Sequence, residues 1–152
     1  MVAHRPAPAV RETERTAMPA QTTGRISYAN WAEQPIGSDA TSPRLARARV
    51  TNNFSGGIEA DRTACEYTIV YTSDKTGTFT GLELLTGRLD GREGSFVLEE
   101  RGAFDADGTV RCTFEVVPGS ATGELVGLGG SGSFRCEAGN PSFPYTFDYR
   151  MG

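Results

Sequence analysis

The sequence predicts an all-β domain built as an antiparallel barrel or sandwich, and the barrel is the favoured alternative. Short runs of alternating apolar and polar residues follow one another along the chain. Nineteen glycines punctuate these runs, and no amphipathic helical pattern separates them. Glycines inside the strand patterns, such as Gly81, Gly87 and Gly102, are typical of the bends that a small closed barrel needs.

Seven or eight strands are predicted between residues 25 and 149. In chain order, the runs are RISYANW (25–31), ARARVTNNF (46–54), CEYTIVYT (65–72), TFTGLELLTGRL (78–89), GSFVLEERGAF (94–104), VRCTFEVV (110–117), GSGSFRCE (130–137) and FPYTFDY (143–149). In the second run, Ala46, Ala48 and Val50 share one face, as in a half-buried strand. Asp90 and Gly91 predict a two-residue hairpin turn.

The 152 residues suffice for one domain with one core. Residues 1–22 are rich in Pro, Ala, Thr, Arg and Glu and hold almost no large apolar side chain. Such a segment cannot offset the entropy of ordering, so a disordered tail is predicted. The β domain is predicted to span residues 23–152.

Charge and cysteine content exclude several classes of partner and compartment. The net charge is −4, so neither nucleic acid nor a membrane surface is an expected partner. No segment reads as a signal peptide, and a cytoplasmic location is predicted. Cys65, Cys112 and Cys136 form no C-x-x-C pair, so no metal or other cofactor is expected. If their strands pair, Cys112 and Cys136 could face each other, which leaves a functional disulfide as the lesser alternative.

Two glycine motifs resemble ligand-binding loops but lack the required context. GLGGSG (127–132) matches the G-x-G-x-x-G pattern, yet a strand pattern follows it where a dinucleotide site needs a helix. It is interpreted as a glycine-rich connection between strands. Asp105, Asp107 and Gly108 place their glycine too early for a calcium loop and are interpreted as a hairpin turn.

Acid–base chemistry must fall to carboxylates, because the single histidine, His4, lies in the predicted tail. A strand glutamate that faces a barrel interior would have a raised pKa suited to a general acid or base. Glu83 lies between Leu82 and Leu84, and exposure to solvent is its favoured interpretation. Of the adjacent Glu99 and Glu100, the second shares a face with apolar residues and is predicted to be the less exposed.

Several runs together resemble the DUF3224 family of small bacterial proteins, over about residues 24–150. They are NWAEQP, FSGGIE, EYTIVY, TGLELLTGRLDGREGSFVLEERGAFD, VVPGSATGELVGLGGSG and FDYR. Two departures stand out: Glu100 occupies a position where the family often has histidine, and Ala121 replaces a usual glycine. The family motifs fall on Trp31, Glu33, Glu66, Tyr67, Glu83, Ser95, Phe96, Glu124 and Tyr149.

The resemblance implies an eight-stranded antiparallel barrel similar to that of allene oxide cyclase, forming homodimers or higher homo-oligomers. By analogy of fold, the expected function is a cofactor-independent cyclase or isomerase that acts on a hydrophobic small molecule in the barrel, with natural-product biosynthesis as one setting. The alternatives are a non-catalytic small-molecule-binding barrel and a structural oligomer with a filled barrel. Glu33 and Glu83 are the expected catalytic residues. The expected substrate-binding residues are Trp31, Glu66, Tyr67, Phe96, Glu100, Glu124 and Tyr149.

Overall fold

Eight antiparallel strands pair in chain order and close into a barrel, which confirms the all-β prediction and the barrel over the sandwich. The computed structural model describes residues 19–38 and 41–152. The strands are β1 (Ala20–Ile36), β2 (Arg44–Gly56), β3 (Ile58–Tyr71), β4 (Gly77–Leu89), β5 (Arg92–Phe104), β6 (Val110–Val116), β7 (Leu128–Cys136) and β8 (Ser142–Met151). A short 3-10 helix, Gly123–Leu125, precedes β7. Within these residues, no helix is long and apolar enough to cross a membrane.

The alternation of the sequence becomes the inside and outside of the barrel wall. In β2, Ala46, Ala48, Val50, Asn52 and Phe54 are all buried, and the residues between them are more exposed. The same period of two holds in β6 and in most of β3 and β5. Alternate residues of these strands therefore line the interior.

A bulge in β3 changes which residues face inward. Arg62 has a φ of 49° and donates its backbone N–H to Asn53 Oδ1 at 2.8 Å. The register with β4 shifts between Ala60 and Ala64, so Ala60 and Thr63 are both buried although they are three residues apart. As a result, Thr63 and Cys65 point into the barrel.

A second bulge divides β1 into two parts. Asn30 has a φ of 60°, and the register with β2 shifts between Ala29 and Ala32. Residues 24–27 pair with both β2 and β8, whereas Ala29 and residues 32–36 pair with β2 alone. The second part of β1 therefore forms a rim at one end of the barrel.

The turn at Asp90 and Gly91 fixes the register of β4 against β5. Their φ angles are 47° and 88°, as a two-residue hairpin turn of type I′ requires. Leu89 pairs with Arg92, and the ladder continues without interruption to the pair of Gly77 and Phe104. The predicted hairpin is confirmed.

Inward-facing glycines lie beneath aromatic rings of the neighbouring strand. At Gly132, an added Cβ would lie 2.4 Å from Phe114 Cζ, and at Gly81 it would lie 2.5 Å from Tyr67 Cδ1. Each glycine is the direct cross-strand partner of its aromatic residue, a pairing that lets the wall bend while the ring covers the backbone. The pairs are Gly24 with Tyr145, Gly77 with Phe104, Gly81 with Tyr67, Gly102 with Phe79, and Gly132 with Phe114.

The interior has a filled half and a hollow half. The filled half adjoins the Asp90–Gly91 turn and contains a large apolar cluster that includes Leu85, Phe96 and Phe147, with Leu125 of the 3-10 helix. A smaller cluster around Ala48 and Ile69 lines the other half. Any internal binding site must lie in that second half.

Three sequence predictions need correction. Gly129, Gly130 and Gly132 of GLGGSG lie inside β7 rather than in a connection, because the link from β6 is the segment before Leu128. β1 begins at Ala20, within the predicted tail, and residues 1–18 of that tail lie outside the described residues.

The third correction concerns the cysteines. β6 and β7 do pair, but Cys112 lies opposite Phe134 and Cys136 lies opposite Val110. Both thiols are free, so the lesser alternative of a disulfide is wrong.

Candidate functional site

The hollow half of the barrel encloses a cavity of about 680 Å³. It opens between the loops that follow β3, β5 and β7, where Lys75, Asp105 and Glu137 lie. Ten of the described residues that line it are aromatic, among them Trp31 and Phe79. The cavity is therefore mainly apolar, as small-molecule sites usually are.

Two glutamates form the floor of this cavity, next to the filled half. Glu83 of β4 is 2% exposed and Glu100 of β5 is 1% exposed. Glu83 pairs with Leu98 and Glu100 pairs with Gly81, so the two carboxyl groups are diagonal neighbours on one face of the sheet. Two carboxyl groups thus lie side by side in the interior of this barrel.

Each carboxyl group accepts hydrogen bonds from protein donors. Asn52 Nδ2 and Thr63 Oγ1 donate to Glu83 Oε2 at 2.7 and 2.5 Å. Tyr67 OH donates to Glu100 Oε1 at 2.7 Å, and Cys112 Sγ lies 3.8 Å from the same oxygen. These donors fix both side chains in place.

Burial raises the pKa of several groups around the two acids. The pKa of Glu100 is raised well above its ordinary value, first by burial and then by hydrogen bonding with Glu83 and by the charge of Glu83. Burial, followed by the nearby carboxyl groups, also raises the pKa of Cys65, Tyr67 and Cys112. Glu100 thus keeps its proton to a higher pH than an exposed glutamate does, and the two thiols stay protonated and poorly nucleophilic.

Cys65, Glu83 and Glu100 are the one group among the described residues whose ligand atoms could hold a metal ion. A sulfur atom and one oxygen of each carboxyl lie within 4.8 Å of one another. One oxygen of each carboxyl, Glu83 Oε2 and Glu100 Oε1, already accepts a hydrogen bond, from Thr63 and Tyr67 respectively. Proton exchange is therefore the chemistry that the arrangement supports directly.

Glu33, one of the two predicted catalytic residues, ties the rim together instead of lining the cavity. Its Oε1 accepts a hydrogen bond from Trp31 Nε1 at 3.1 Å, and its Oε2 accepts one from Tyr71 OH at 2.5 Å. Burial and the hydrogen bond to Glu33 raise the pKa of Tyr71 to about 12. The Arg44 guanidinium lies 3.8 Å from the centre of the Tyr71 ring. Glu33 therefore holds two aromatic side chains at the mouth.

The structure brings four predicted site residues to the cavity: Trp31, Tyr67, Glu83 and Glu100. The favoured interpretation of Glu83 as solvent-exposed is wrong. Its neighbours Leu82 and Leu84 are 54% and 47% exposed, so the apolar pair is outside and the acid is inside. The expectation that Glu100 is less exposed is confirmed.

The other predicted site residues lie elsewhere. Glu66 is on the outer face, 3.5 Å from Arg47 and 3.6 Å from Arg49. Phe96 packs in the filled half. The remaining two are at the closed end: Glu124 accepts the backbone N–H of Glu93 at 2.8 Å, and Tyr149 donates to Asp90.

Four residues beside the two acids were not predicted as site residues: Asn52, Thr63, Cys65 and Cys112. Asn52 continues the inward series of β2, and Cys112 lies on the inward face of β6, so alternation alone indicates both. Cys65 likewise shares a face with Tyr67. Only Thr63 carried no signal, because the bulge before it reverses the alternation.

A closed eight-stranded barrel with an apolar cavity entered from one end defines the class of small, single-domain antiparallel barrels. Within that class, the chain belongs to the DUF3224 family, described as a protein of unknown function, whose sequence profile matches residues 22–149. This confirms the resemblance.

A solved structure supports the same membership. The chain is similar to a DUF3224-family protein with unknown function from Shewanella oneidensis MR-1, with 29% identity and a TM-score of 0.70. The match covers 89% of this chain and 99% of that chain. No curated protein matches the chain.

Proposed function

We propose that the barrel is a cofactor-independent isomerase or cyclase that acts on a hydrophobic small molecule in its cavity. The observation that carries this proposal is the pair of buried carboxyl groups, Glu83 and Glu100, at the floor of an otherwise apolar chamber. Burying two acids side by side costs folding free energy, which favours a functional reason for their presence. Perturbed acids in a cavity are a common signature of a functional site.

The two acids have environments suited to different roles. Asn52 and Thr63 donate to one oxygen of Glu83, and such donors stabilise the carboxylate form. Glu100 has a raised pKa and keeps its proton to higher pH. We assign Glu83 as the general base and Glu100 as the general acid, so that Glu100 replaces Glu33 in the predicted catalytic pair.

The cavity supplies what such chemistry needs besides the acids. A volume of about 680 Å³ lies within the usual range for small-molecule sites. The apolar wall excludes water, and a flexible substrate folded against it is held near its reactive conformation. A rearrangement that only moves protons and ring bonds would need no further group.

A non-catalytic binding barrel is the second candidate. The aromatic lining favours it, since aromatic walls bind apolar molecules whether or not a reaction follows. A filled structural barrel has less support, because half of this interior is open. Leu82 and Leu84, exposed on the outer face of β4, support the predicted homodimer or higher homo-oligomer, which stays a prediction.

The test uses a simple proton-shift reaction. Cyclohex-3-en-1-one becomes the conjugated enone when one proton leaves the α-carbon and one is returned to the γ-carbon, and the product is followed by its ultraviolet absorbance. We expect the wild-type protein to accelerate this reaction and Glu83→Gln to reduce the acceleration by about 10²-fold or more. Glu100→Gln should reduce it as well.

Glu99→Gln is the matched control, because Glu99 is adjacent to Glu100 but exposed on the outer face. It should keep the wild-type rate. A wild-type rate no greater than that of Glu83→Gln, with both proteins folded, would argue against catalysis and leave the binding barrel.

A further inference from the structure

We propose that the molecule bound in this cavity is an apolar compound with one basic nitrogen, which forms an ion pair with the carboxyl groups of Glu83 and Glu100. This inference rests on the proposed function and names the class of its substrate. The cavity should bind amines in preference to alcohols, ketones and carboxylic acids of the same size.

The first support is the charge around the cavity. Two acids lie at the floor, and Lys75 is the single basic residue of the described chain that lines the cavity. Lys75 belongs to the exposed loop after β3, at the mouth. The acids at the mouth have their own partners, since Asp105 pairs with Arg111. No basic residue among those described therefore balances the two acids at the floor, and a bound ligand could supply the missing positive charge.

The second support is the way in which the protein donors are used. Asn52 and Thr63 both bind Glu83 Oε2, and Tyr67 and Cys112 both approach Glu100 Oε1. Among the described residues, the second oxygen of each carboxyl is left for the other carboxyl or for a bound molecule. Two acceptor oxygens at one point suit an ammonium group, which offers several N–H donors.

The third support is the aromatic wall beside the acids. Tyr67, which donates to Glu100, has Phe79 at 5.0 Å and Trp31 at 6.3 Å between ring centroids. Ring faces attract cations, and the attraction is stronger where water is excluded. A neutral carbonyl could accept a hydrogen bond from Glu100, but it would bring no positive charge to the pair of acids.

Binding of an ammonium ion should be linked to proton release. The titratable groups around Glu100 are Glu83 on β4, Cys65 and Tyr67 on β3, and Cys112 on β6. Burial raises the pKa of both thiols and of the phenol, so these groups keep their protons, and the released proton comes from Glu100, whose pKa is also raised. The ligand arrives protonated, and the proton that leaves the carboxyl pair goes to the buffer.

The test compares octylamine, 1-octanol and octanoate, which share one flexible chain length. Trp31, the single tryptophan of the chain, lies at the cavity mouth and reports binding by its fluorescence. At pH 8 we expect octylammonium to bind at least tenfold more tightly than 1-octanol, and octanoate to bind more weakly than both. The affinity for octylammonium should rise between pH 6 and pH 8, and calorimetry in two buffers should record the released proton.

The variants separate recognition of charge from the presence of the cavity. The double variant Glu83→Gln, Glu100→Gln should bind 1-octanol as the wild type does but lose the preference for octylammonium and its pH dependence. Glu99→Gln should keep both. Tighter binding of 1-octanol or octanoate than of octylammonium by the wild type would overturn the inference, as would a preference retained in the double variant.

The outcome for the proposed function is separate. Enone formation that depends on Glu83, together with a preference for 1-octanol, would keep the isomerase and remove the basic nitrogen. Failure of all three probes to bind would overturn the basic nitrogen, and the enone reaction would decide the isomerase separately.

Discussion

Glu99 and Glu100 are consecutive residues with opposite surroundings. The first lies on the outer face of β5, and the second is 1% exposed inside the barrel. Because side chains alternate along a strand, adding one residue before them would exchange their positions. The raised pKa of Glu100 follows from where the strand places it and from its neighbour Glu83.

The first prediction concerns pH and stability. The folded protein holds the Glu100 proton to a higher pH than the unfolded chain, whose glutamates have a pKa near 4.5. The contribution to stability is complete below that value and is lost as the pH rises toward the raised pKa, by at most about 1.4 kcal/mol per pH unit. Denaturant unfolding from pH 4 to pH 9 should show a flatter curve for Glu100→Gln than for the wild type.

Glu99→Gln should follow the wild-type curve. Since glutamine can still bind the Tyr67 hydroxyl, Glu100→Gln should also be the more stable protein at pH 9. Parallel curves for the wild type and Glu100→Gln would show that Glu100 ionises normally.

At the scale of the strands, glycines and aromatic rings act as pairs. The ring of Phe114 covers Gly132 on the neighbouring strand, and four other pairs repeat the arrangement around the wall. Each pair lets two strands approach closely and fills the space inside. The glycines of GLGGSG thus have a packing role that is specific to their position.

The second prediction compares two glycines of β7. Gly132→Ala places a Cβ 2.2 Å from Thr146 O and against Phe114, so it should destabilise the protein by about 1–3 kcal/mol. Gly129→Ala meets no atom within 4 Å and should change stability by less than about 0.5 kcal/mol. Denaturant unfolding of both variants measures the difference, and equal losses would contradict the packing explanation.

The hairpin of β4 and β5 shows how much of the site was open to prediction. Counting outward from the turn at Asp90 and Gly91 places Glu83 opposite Leu98, and cross-strand partners point to the same face. Since Leu98 and Glu100 also share a face, the sequence placed both acids together. The exposed Leu82 and Leu84 concealed this, because they lie on an outer face where apolar residues are not expected.

The sequence patterns did not predict the two bulges. Asn30 and Arg62 adopt positive φ without being glycine, and each changes the phase of its strand. Without the bulge at Arg62, Thr63 would face solvent and Glu83 would lose a donor. Such positions depend on the closure of the whole sheet, and no local signal specifies them.

At the scale of the whole molecule, the large apolar cluster and the cavity lie in different halves of the barrel. The filled half joins residues from most strands in one large cluster, whereas the hollow half ends in a rim with pairing on one side. Local opening should therefore begin at the rim and leave the filled half closed.

The third prediction is a gradient of amide hydrogen exchange along β1. Peptides from residues 29–36 should exchange at least tenfold faster than those from residues 24–27, because only the latter pair on both sides. Mass spectrometry of exchanged samples measures this directly. Equal protection of the two segments would mean that a further contact covers the rim.

The seam between β1 and β8 has a consequence for biosynthesis. Ala20 pairs with Tyr149, so the first strand finds its second neighbour only after the last strand has been made. While the ribosome is still translating, β1 has an open edge that another nascent chain could join. The barrel can close only once β8 has left the exit tunnel, and until then the chain depends on hairpins such as β4–β5 to stay in register.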